Sequence, residues 1–251
     1  MVTSRCQCAV WQVWLRAPES HSSEPPSQLL LCIHPVSGTL DHVQALVSQL
    51  SLPSLGLQLT SRSLSGAKCV LDVEQRYWTL TSEQMKLWRS DDAHQQRLLL
   101  GESFGCRIAF SFAARFDVAG CTDIRVIIMD GRVAHQGVPE GLSDDPHGER
   151  MVEALVAKYG TEAFEKWRQL AEISGGTDYE AFRLKNGVLS ESTHVLHLKS
   201  EQPPAKVQLP EFAVNVEVVA IPGWHFAALD KIARGKPAHA MALRFAAFLN
   251  V

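Results

Sequence analysis

The chain has 251 residues, of which 46% are hydrophobic, enough apolar material for one domain with a large core and a small inserted subdomain. The net charge is −3 and the 24 Lys and Arg residues are spread along the chain, which excludes a basic nucleic-acid-binding stripe. No apolar run approaches the roughly 18 residues that a membrane-spanning helix requires, so no membrane span is expected.

Residues 1–20 predict a β-strand rather than a signal peptide. Gln7 and Gln12 interrupt the apolar character of this segment, and no convincing cleavage site follows. Valine and tryptophan residues recur at positions 10, 11, 13 and 14, as expected for a strand. The polar, proline-containing stretch at 20–28 is a loop that leads to the next strand.

Cysteine usage indicates a reducing, cytoplasmic setting. Six cysteines in a chain of this length do not form a disulfide-dense scaffold. Cys32, Cys106 and Cys121 lie in or beside apolar runs and are expected to be buried free thiols. Cys6 and Cys8 form a lone Cys-x-Cys pair without a partner pair, so no metal site is expected.

Strands and helices alternate from residue 29 onward. Residues 29–33 form a continuous apolar run, which is typical of a strand buried on both faces. Apolar residues follow helical spacing over 40–50, and "SLGLQL" at 54–59 predicts a short strand. The segment "VLDVEQRYWTLTSEQMKLW", residues 70–88, predicts a helix.

The same alternation continues up to residue 130. "RLLLG" at 97–101 predicts a strand, "CRIAFSFAARF" at 106–116 a helix, and "IRVIIMD" at 124–130 another strand. Alternating strands and helices with short links imply a mostly parallel sheet covered by helices on both faces. The fold class predicted for the chain is therefore α/β.

Residues 135–192 interrupt this pattern and predict a helical lid. The segment is more polar and shows no strand, and "TDYE" at 177–180 is a capping box for a short helix. Strands resume with "THVLHL" at 193–198 and then in "VNVEVVAIPGWH" at 214–225, and an apolar helix closes the chain. We therefore expect an α/β core formed by 1–134 and 193–251, with 135–192 inserted as a lid over a pocket.

The stretch "LLLGESFGCRIAFSFAARF" places a serine where a strand turns directly into a helix. Gly101 and Gly105 flank Ser103, as a nucleophile elbow requires, because strand and helix must approach closely around a strained serine. The backbone N–H of Phe104 would lie at the helix N-terminus, where a developing oxyanion can be held. The alternative is a tight strand–helix turn with an idle serine.

Two further residues complete a candidate triad. Asp130 ends a predicted strand, and His225 follows the strand "VNVEVVAIPGW". Ligands and catalysts gather at the carboxyl ends of parallel strands, and the order Ser, Asp, His is the chain order of α/β-hydrolases. Rival acids at positions 123, 144 and 145 follow a strand less directly. The alternatives are a turn aspartate and a surface-loop histidine.

The loop "HPVSG", residues 34–38, follows another predicted strand. It would lie beside the elbow, and the backbone N–H of Val36 could be a second oxyanion donor. His34 could act as a base, but we expect it to orient the loop by hydrogen bonding.

Four segments resemble the thioesterase domains that terminate fatty acid synthases, polyketide synthases and nonribosomal peptide synthetases. They are "LLLCIHPVSGTLDHVQALVSQLSLPSLGLQLT", "LLLGESFGCRIAFSFAARF", "VIIMDG" and "IPGWH". The similarity covers most of the chain from about residue 28 except the lid. It implies the α/β-hydrolase fold, with Ser103 as nucleophile, His225 as base, Asp130 as its orienting acid, and Val36 and Phe104 as oxyanion donors.

The resemblance also implies an activity. A thioesterase of this type releases an acyl chain, a fatty acid or a polyketide-like chain, from the phosphopantetheine thioester of a carrier protein. An acyl-serine forms and is resolved by hydrolysis or cyclisation. The implied partners are an acyl carrier protein or upstream synthase modules, and no cofactor is needed beyond the arm that carries the substrate. The expected lid residues in the acyl channel are Phe164, Trp167, Leu170 and Tyr179.

Some positions depart from the family pattern and leave alternatives open. Glu102 stands where many of these domains carry an aromatic residue or histidine, and Cys106 stands where a second glycine is common. A Gly-Glu-Ser elbow is familiar from carboxylesterases, so a carboxylesterase or lipase acting on oxygen esters is one alternative. A non-catalytic binding protein with the α/β-hydrolase fold is the other, and the intact Ser, Asp and His argue against it.

Overall fold

The computed structural model describes most of the α/β core. The described residues are 10–17, 28–35, 39–59, 66–85, 96–130, 186–200, 212–223, 231–232 and 235–251, with isolated positions between 153 and 169. Within this part of the chain, no helix has the length and apolar character needed to cross a membrane.

The described residues form seven strands and four helices. The strands are Val10–Arg16 (β1), Leu30–Ile33 (β2), Ser54–Leu59 (β3), Arg97–Glu102 (β4), Ile124–Met129 (β5), Leu189–Ser200 (β6) and Ala213–Ile221 (β7). The helices are Asp41–Val47 (α1), Val70–Met85 (α2), Gly105–Val118 (α3) and Gly235–Leu249 (α4).

All seven strands belong to one sheet, in the order β1-β3-β2-β4-β5-β6-β7. β1 runs antiparallel to β3, and every other neighbouring pair is parallel. β4 lies between β2 and β5, with Gly101 beside Ile33 and Glu102 beside Met129. The chain segments that follow β2, β4 and β5 therefore leave the sheet side by side at its carboxyl edge.

Each face of the sheet is covered by an apolar layer. Leu99 and Phe110 belong to the cluster between the sheet and helices α2 and α3. Leu100 and Phe245 belong to the cluster between the opposite face and helices α1 and α4. Successive residues of β4 thus enter different layers, because side chains alternate across a strand. The predicted fold class is confirmed: a mostly parallel sheet with helices on both faces.

The sequence located most of these elements, with some shifts at their ends. The helix predicted at 70–88 is described as Val70–Met85, and residues 86–95 lie outside the described part. β6 begins at Leu189, inside the segment predicted as a lid, although it pairs with β5 only from Thr193 onward. The rest of 135–192 is described only at isolated positions, so the division into core and lid stays a prediction.

Candidate active site

Ser103 occupies a strained turn between β4 and α3. Its φ angle is 52°, in the left-handed region that residues other than glycine rarely adopt. A hydrogen bond to the neighbouring strand β5 holds Ser103 in this conformation, since the Ser103 N–H donates to the carbonyl of Met129 at 3.0 Å. Helix α3 follows within two residues, with Phe104 at its N-terminal boundary. This is the strained strand-to-helix turn that the nucleophile elbow predicted for "GESFG" requires.

Gly101 and Gly105 allow the strand and the helix to meet around this serine. A Cβ added at Gly101 would lie 2.4 Å from the Gly105 carbonyl oxygen. A Cβ added at Gly105 would lie 2.4 Å from the carbonyl oxygen of Ile33 and 2.5 Å from that of His34. Both glycines thus face backbone atoms that cannot swing away, and the elbow admits no larger residue at either position.

Asp130 directly follows β5, the strand beside the elbow. Its backbone is also left-handed, with a φ of 47°. The Asp130 N–H donates to the carbonyl of Leu198 at 2.7 Å, and the carboxylate oxygen Oδ1 accepts the N–H of Ser200 at 2.8 Å. Hydrogen bonds to β6 therefore hold both the backbone and the side chain of Asp130 at the carboxyl edge of the sheet.

The rival acid Asp123 lies at the opposite edge. It immediately precedes β5, and its carboxylate pairs with Arg125 at 3.0 Å and accepts from Gln96 at 2.9 Å. Because one strand separates Asp123 from Asp130, Asp123 cannot reach a base near Ser103. The other rivals, at positions 144 and 145, lie outside the described residues.

His34 is fully buried between aromatic side chains. Its Nε2 shares a hydrogen bond with the hydroxyl of Tyr77 in α2, and its ring stacks on Phe104 at a centroid distance of 6.3 Å. Tyr77 is itself fully buried, and this burial raises the pKa of its hydroxyl. This environment fits the loop-orienting role expected for His34, since a buried and engaged imidazole is not open to substrate. The partner Tyr77 could not be identified from the sequence.

Glu102 and His42 form a buried pair that the local sequence pattern does not predict. The Nδ1 atom of His42, in the first turn of α1, lies 2.6 Å from Oε1 of Glu102. The two side chains are 5% and 2% exposed. Strand alternation assigns Glu102 to the face of the sheet that α1 covers, but it does not identify His42 as the partner.

A further histidine lies on β6 near the acid. Burial lowers the pKa of His197 to about 4, against the opposing influence of the Asp130 charge. The imidazole is therefore neutral near pH 7. His197 is only 6% exposed, so its imidazole is shielded from solvent.

Six predicted site residues lie outside the described part of the chain: His225, Val36, Phe164, Trp167, Leu170 and Tyr179. β7 ends at Ile221, four residues before His225 in the chain, and the placement of His225 stays a prediction. Ser103, Phe104 and Asp130 are described, and the structure brings them to the same edge of the sheet. Within the described residues, no group of three or more His, Cys, Asp or Glu side chains could hold a metal ion.

No protein-family model matches the chain, and no curated protein matches it in sequence. Solved structures do match it. The NocB thioesterase domain, in covalent complex with a fluorophosphonate nocardicin G analogue, is 14% identical with a TM-score of 0.59, over 90% of this chain and 96% of that domain. The SrfTE thioesterase domain, described for surfactin cyclisation, is 20% identical with a TM-score of 0.55, over 89% and 92%.

Two further structures belong to the same group. The Vlm2 thioesterase domain is 14% identical with a TM-score of 0.59, over 95% of this chain and 97% of that domain. The four-domain nonribosomal peptide synthetase AB3403 is 17% identical with a TM-score of 0.57, over 97% of this chain and 20% of that one. The chain therefore has the α/β-hydrolase fold of these thioesterase domains, and the resemblance drawn from the sequence is confirmed at the level of the fold.

The contacts of Gly105 predict that alanine is less favourable than glycine at this helix position, the reverse of the usual order. Alanine in a helix normally stabilises by about 0.5–1 kcal/mol relative to glycine. Gly105→Ala should instead destabilise the protein, by an amount at the upper end of the roughly 1–3 kcal/mol that overpacking costs, because its Cβ meets two carbonyl oxygens. Urea unfolding measures the change in free energy.

The control variant is Gly120→Ala. Gly120 has open space around its Cβ position but a φ of 84°, so only the backbone conformation is penalised, by about 1–2 kcal/mol. A Gly105→Ala protein that is more stable than the wild type would contradict the close approach described here.

Proposed function

We propose that the chain is a serine hydrolase of the thioesterase type, acting on acyl groups carried as thioesters on the phosphopantetheine arm of a carrier protein. The observation that carries this proposal is Ser103, held at a φ of 52° between two glycines that leave no room for a Cβ. A strained non-glycine backbone of this kind persists only where the surrounding structure enforces it, and such sites concentrate at catalytic groups.

In the proposed reaction, Ser103 Oγ attacks the thioester carbonyl while His225 takes the serine proton. The N–H groups of Phe104 and Val36 hold the oxyanion. Collapse of the tetrahedral intermediate breaks the carbon–sulfur bond, and the proton on His225 passes to the leaving thiolate. The acyl-serine that remains is released by water as an acid, or by an internal hydroxyl or amine as a ring.

Asp130 is proposed to orient His225 and to stabilise its protonated form. Its position supports this role, because Ser103 and Asp130 follow neighbouring strands and Ser103 is hydrogen-bonded to the last residue of β5. The bond from the Ser200 N–H to Oδ1 fixes the position of the carboxylate. A fixed carboxylate is what orientation of the imidazole requires.

The proposed partner is an acyl carrier protein or the upstream modules of a synthase. The similarity to a segment of AB3403 supports this context, because that chain is a multidomain synthetase. The proposal needs no cofactor of the protein's own, since the substrate arrives on the carrier's arm.

An oxygen-ester hydrolase is the second candidate function, and one observation favours it. Glu102 precedes the nucleophile, as in the Gly-Glu-Ser elbows of carboxylesterases. The two candidates share the same chemistry at Ser103 and differ in the leaving group, so a comparison of acyl donors separates them.

Removal of the nucleophile is the first test. Ser103→Ala should abolish turnover and labelling by a fluorophosphonate, with a loss of several orders of magnitude, because its hydroxyl is the proposed covalent centre. The matched control is Ser111→Ala, a serine of the helix that follows the elbow, which should keep both activities. Near-normal turnover by a folded Ser103→Ala protein would show that the mechanism is wrong.

Asp130→Asn should keep the fold and reduce turnover by roughly 10³- to 10⁴-fold, because the amide favours the wrong imidazole tautomer. Asparagine tolerates the left-handed backbone and can still accept the Ser200 N–H, so the thermal midpoint should change little. The controls are Asp144→Asn and Asp145→Asn. If one of these controls causes the loss instead, the acid has been misassigned.

The class of substrate is tested by three kinds of acyl donor, with the length of the acyl group varied in each. We expect long-chain or polyketide-like acyl groups on a carrier protein to exceed the same groups on a short thiol, and both to exceed short p-nitrophenyl esters, in kcat/KM. Each buried methylene contributes about 0.8 kcal/mol, roughly fourfold in kcat/KM, until the acyl channel ends. A best rate on the short oxygen ester, without dependence on length, would favour the esterase instead.

A further inference from the structure

A buried acid–base pair lies directly beside the nucleophile turn. Glu102 is the last residue of β4 and precedes Ser103, and its Oε1 lies 2.6 Å from Nδ1 of His42. Both residues are surrounded by the apolar layer between the sheet and helices α1 and α4, to which Leu40, Val43 and Leu100 belong. The pair is therefore withdrawn from water.

At this buried location the pair is not expected to make the folded protein more stable than apolar residues would. The carboxylate oxygen Oε2 of Glu102 is buried and has no hydrogen-bond partner among the described residues. Burying a carboxylate costs several kcal/mol, and apolar residues of similar size often stabilise a protein as much as a buried ion pair does, or more. The pair is therefore better explained by a role other than stability, and the residues that it joins indicate that role.

The pair and the ring contact between His34 and Phe104 both join an end of the β2–α1 connection to the elbow. At one end of that connection, His34 stacks on Phe104, the residue after the nucleophile, at 6.3 Å. At the other end, His42 holds Glu102, the residue before the nucleophile, at 2.6 Å. The two residues that flank Ser103 are therefore each fixed to an opposite end of the same connection.

We propose that Glu102 and His42 are positioning residues for Ser103. The pair fastens the residue before the nucleophile to α1 and so holds the strained turn and the β2–α1 connection in one relative position. This inference rests on the proposed function, since it assigns the pair to the acylation of Ser103. It gives Glu102 a role other than the choice between thioester and oxygen-ester substrates.

The positioning role makes hydrogen bonding, and not charge, the property that matters. Glu102→Gln keeps the length of the side chain and a group that can bond with His42 Nδ1, so it should acylate at nearly the rate of the wild type. The double variant Glu102→Leu/His42→Leu removes the tether without leaving an unpaired buried charge. It should therefore fold with a thermal midpoint near or above that of the wild type and still acylate slowly.

The experiment measures phosphonylation of Ser103 by a fluorophosphonate probe, a reaction that stands in for acylation. Oγ forms a bond to phosphorus, fluoride leaves, and the serine proton passes to the proposed base. The rate at saturating probe should fall by about 10- to 100-fold in the double leucine variant, below the full cost of losing an oxyanion donor. The probe concentration at half-maximal rate should stay within about twofold, because the pair does not touch the probe. Glu102→Gln should stay within about threefold of the wild-type rate.

A second buried pair is the matched control. Arg107 Nε and Glu74 Oε1 lie 2.7 Å apart, with side chains 2% and 0% exposed, but they join α3 to α2 on the other face of the sheet. Glu74→Leu/Arg107→Met should change the thermal midpoint and leave the acylation rate of the folded protein unchanged. If Glu74→Leu/Arg107→Met lowers the rate as much as Glu102→Leu/His42→Leu does, both pairs have only a general structural role and the proposal is wrong.

Two other outcomes are distinguishable. If the probe labels Ser103 of the wild type, and the double leucine variant is labelled at the same rate, the positioning role is wrong and the proposed function stands. If the folded wild type is not labelled at Ser103, the proposed function fails, and the positioning role fails with it. A Glu102→Gln protein as slow as the double leucine variant would also contradict the tether, since charge would then be the property that matters.

Discussion

The close approach of β4 and α3 at Ser103 is the constraint on which the rest of the site depends. The turn from strand to helix is made in so few residues that a Cβ at Gly101 would meet the backbone of Gly105, and a Cβ at Gly105 would meet the backbone of Ile33 and His34. The neighbouring strand supplies the hydrogen bond that holds Ser103 in its left-handed conformation. A looser turn would relieve the strain, but it would also let the serine side chain leave the sheet edge.

The polar groups buried around this turn fix the relative positions of the elements that pack against it. His34 bonds to Tyr77 on one face of the sheet, and His42 bonds to Glu102 on the other. Apolar contacts are non-directional and tolerate sliding, whereas a hydrogen bond in a low-dielectric interior is costly to break and favours one geometry. Such pairs cost desolvation, and in return they define where His34 and the start of α1 lie relative to Ser103.

The features that could be predicted from the sequence are those that depend on a local pattern of residues. The apolar runs that became β2, β4 and β5 and the glycines around Ser103 are readable because strand alternation and backbone sterics act over a few residues. The pairing of His42 with Glu102 is not readable, because those residues are far apart in the chain and meet only through the order of strands. The same holds for Tyr77, whose contact with His34 depends on how α2 lies across the sheet.

Three non-glycine residues in the described part of the chain have a positive φ: Ser103, Asp130 and Asn250. Asn250 directly follows the last helix, where asparagine commonly adopts this conformation. The other two end neighbouring strands at the carboxyl edge, where glycine would relieve the strain but remove the side chain. A serine in this conformation is better explained by a need for its hydroxyl than by turn geometry, whereas aspartate, like asparagine, adopts the conformation at little cost. The backbone therefore supports the proposed nucleophile independently of the resemblance in sequence, and the proposed acid is supported by its place at the end of the neighbouring strand.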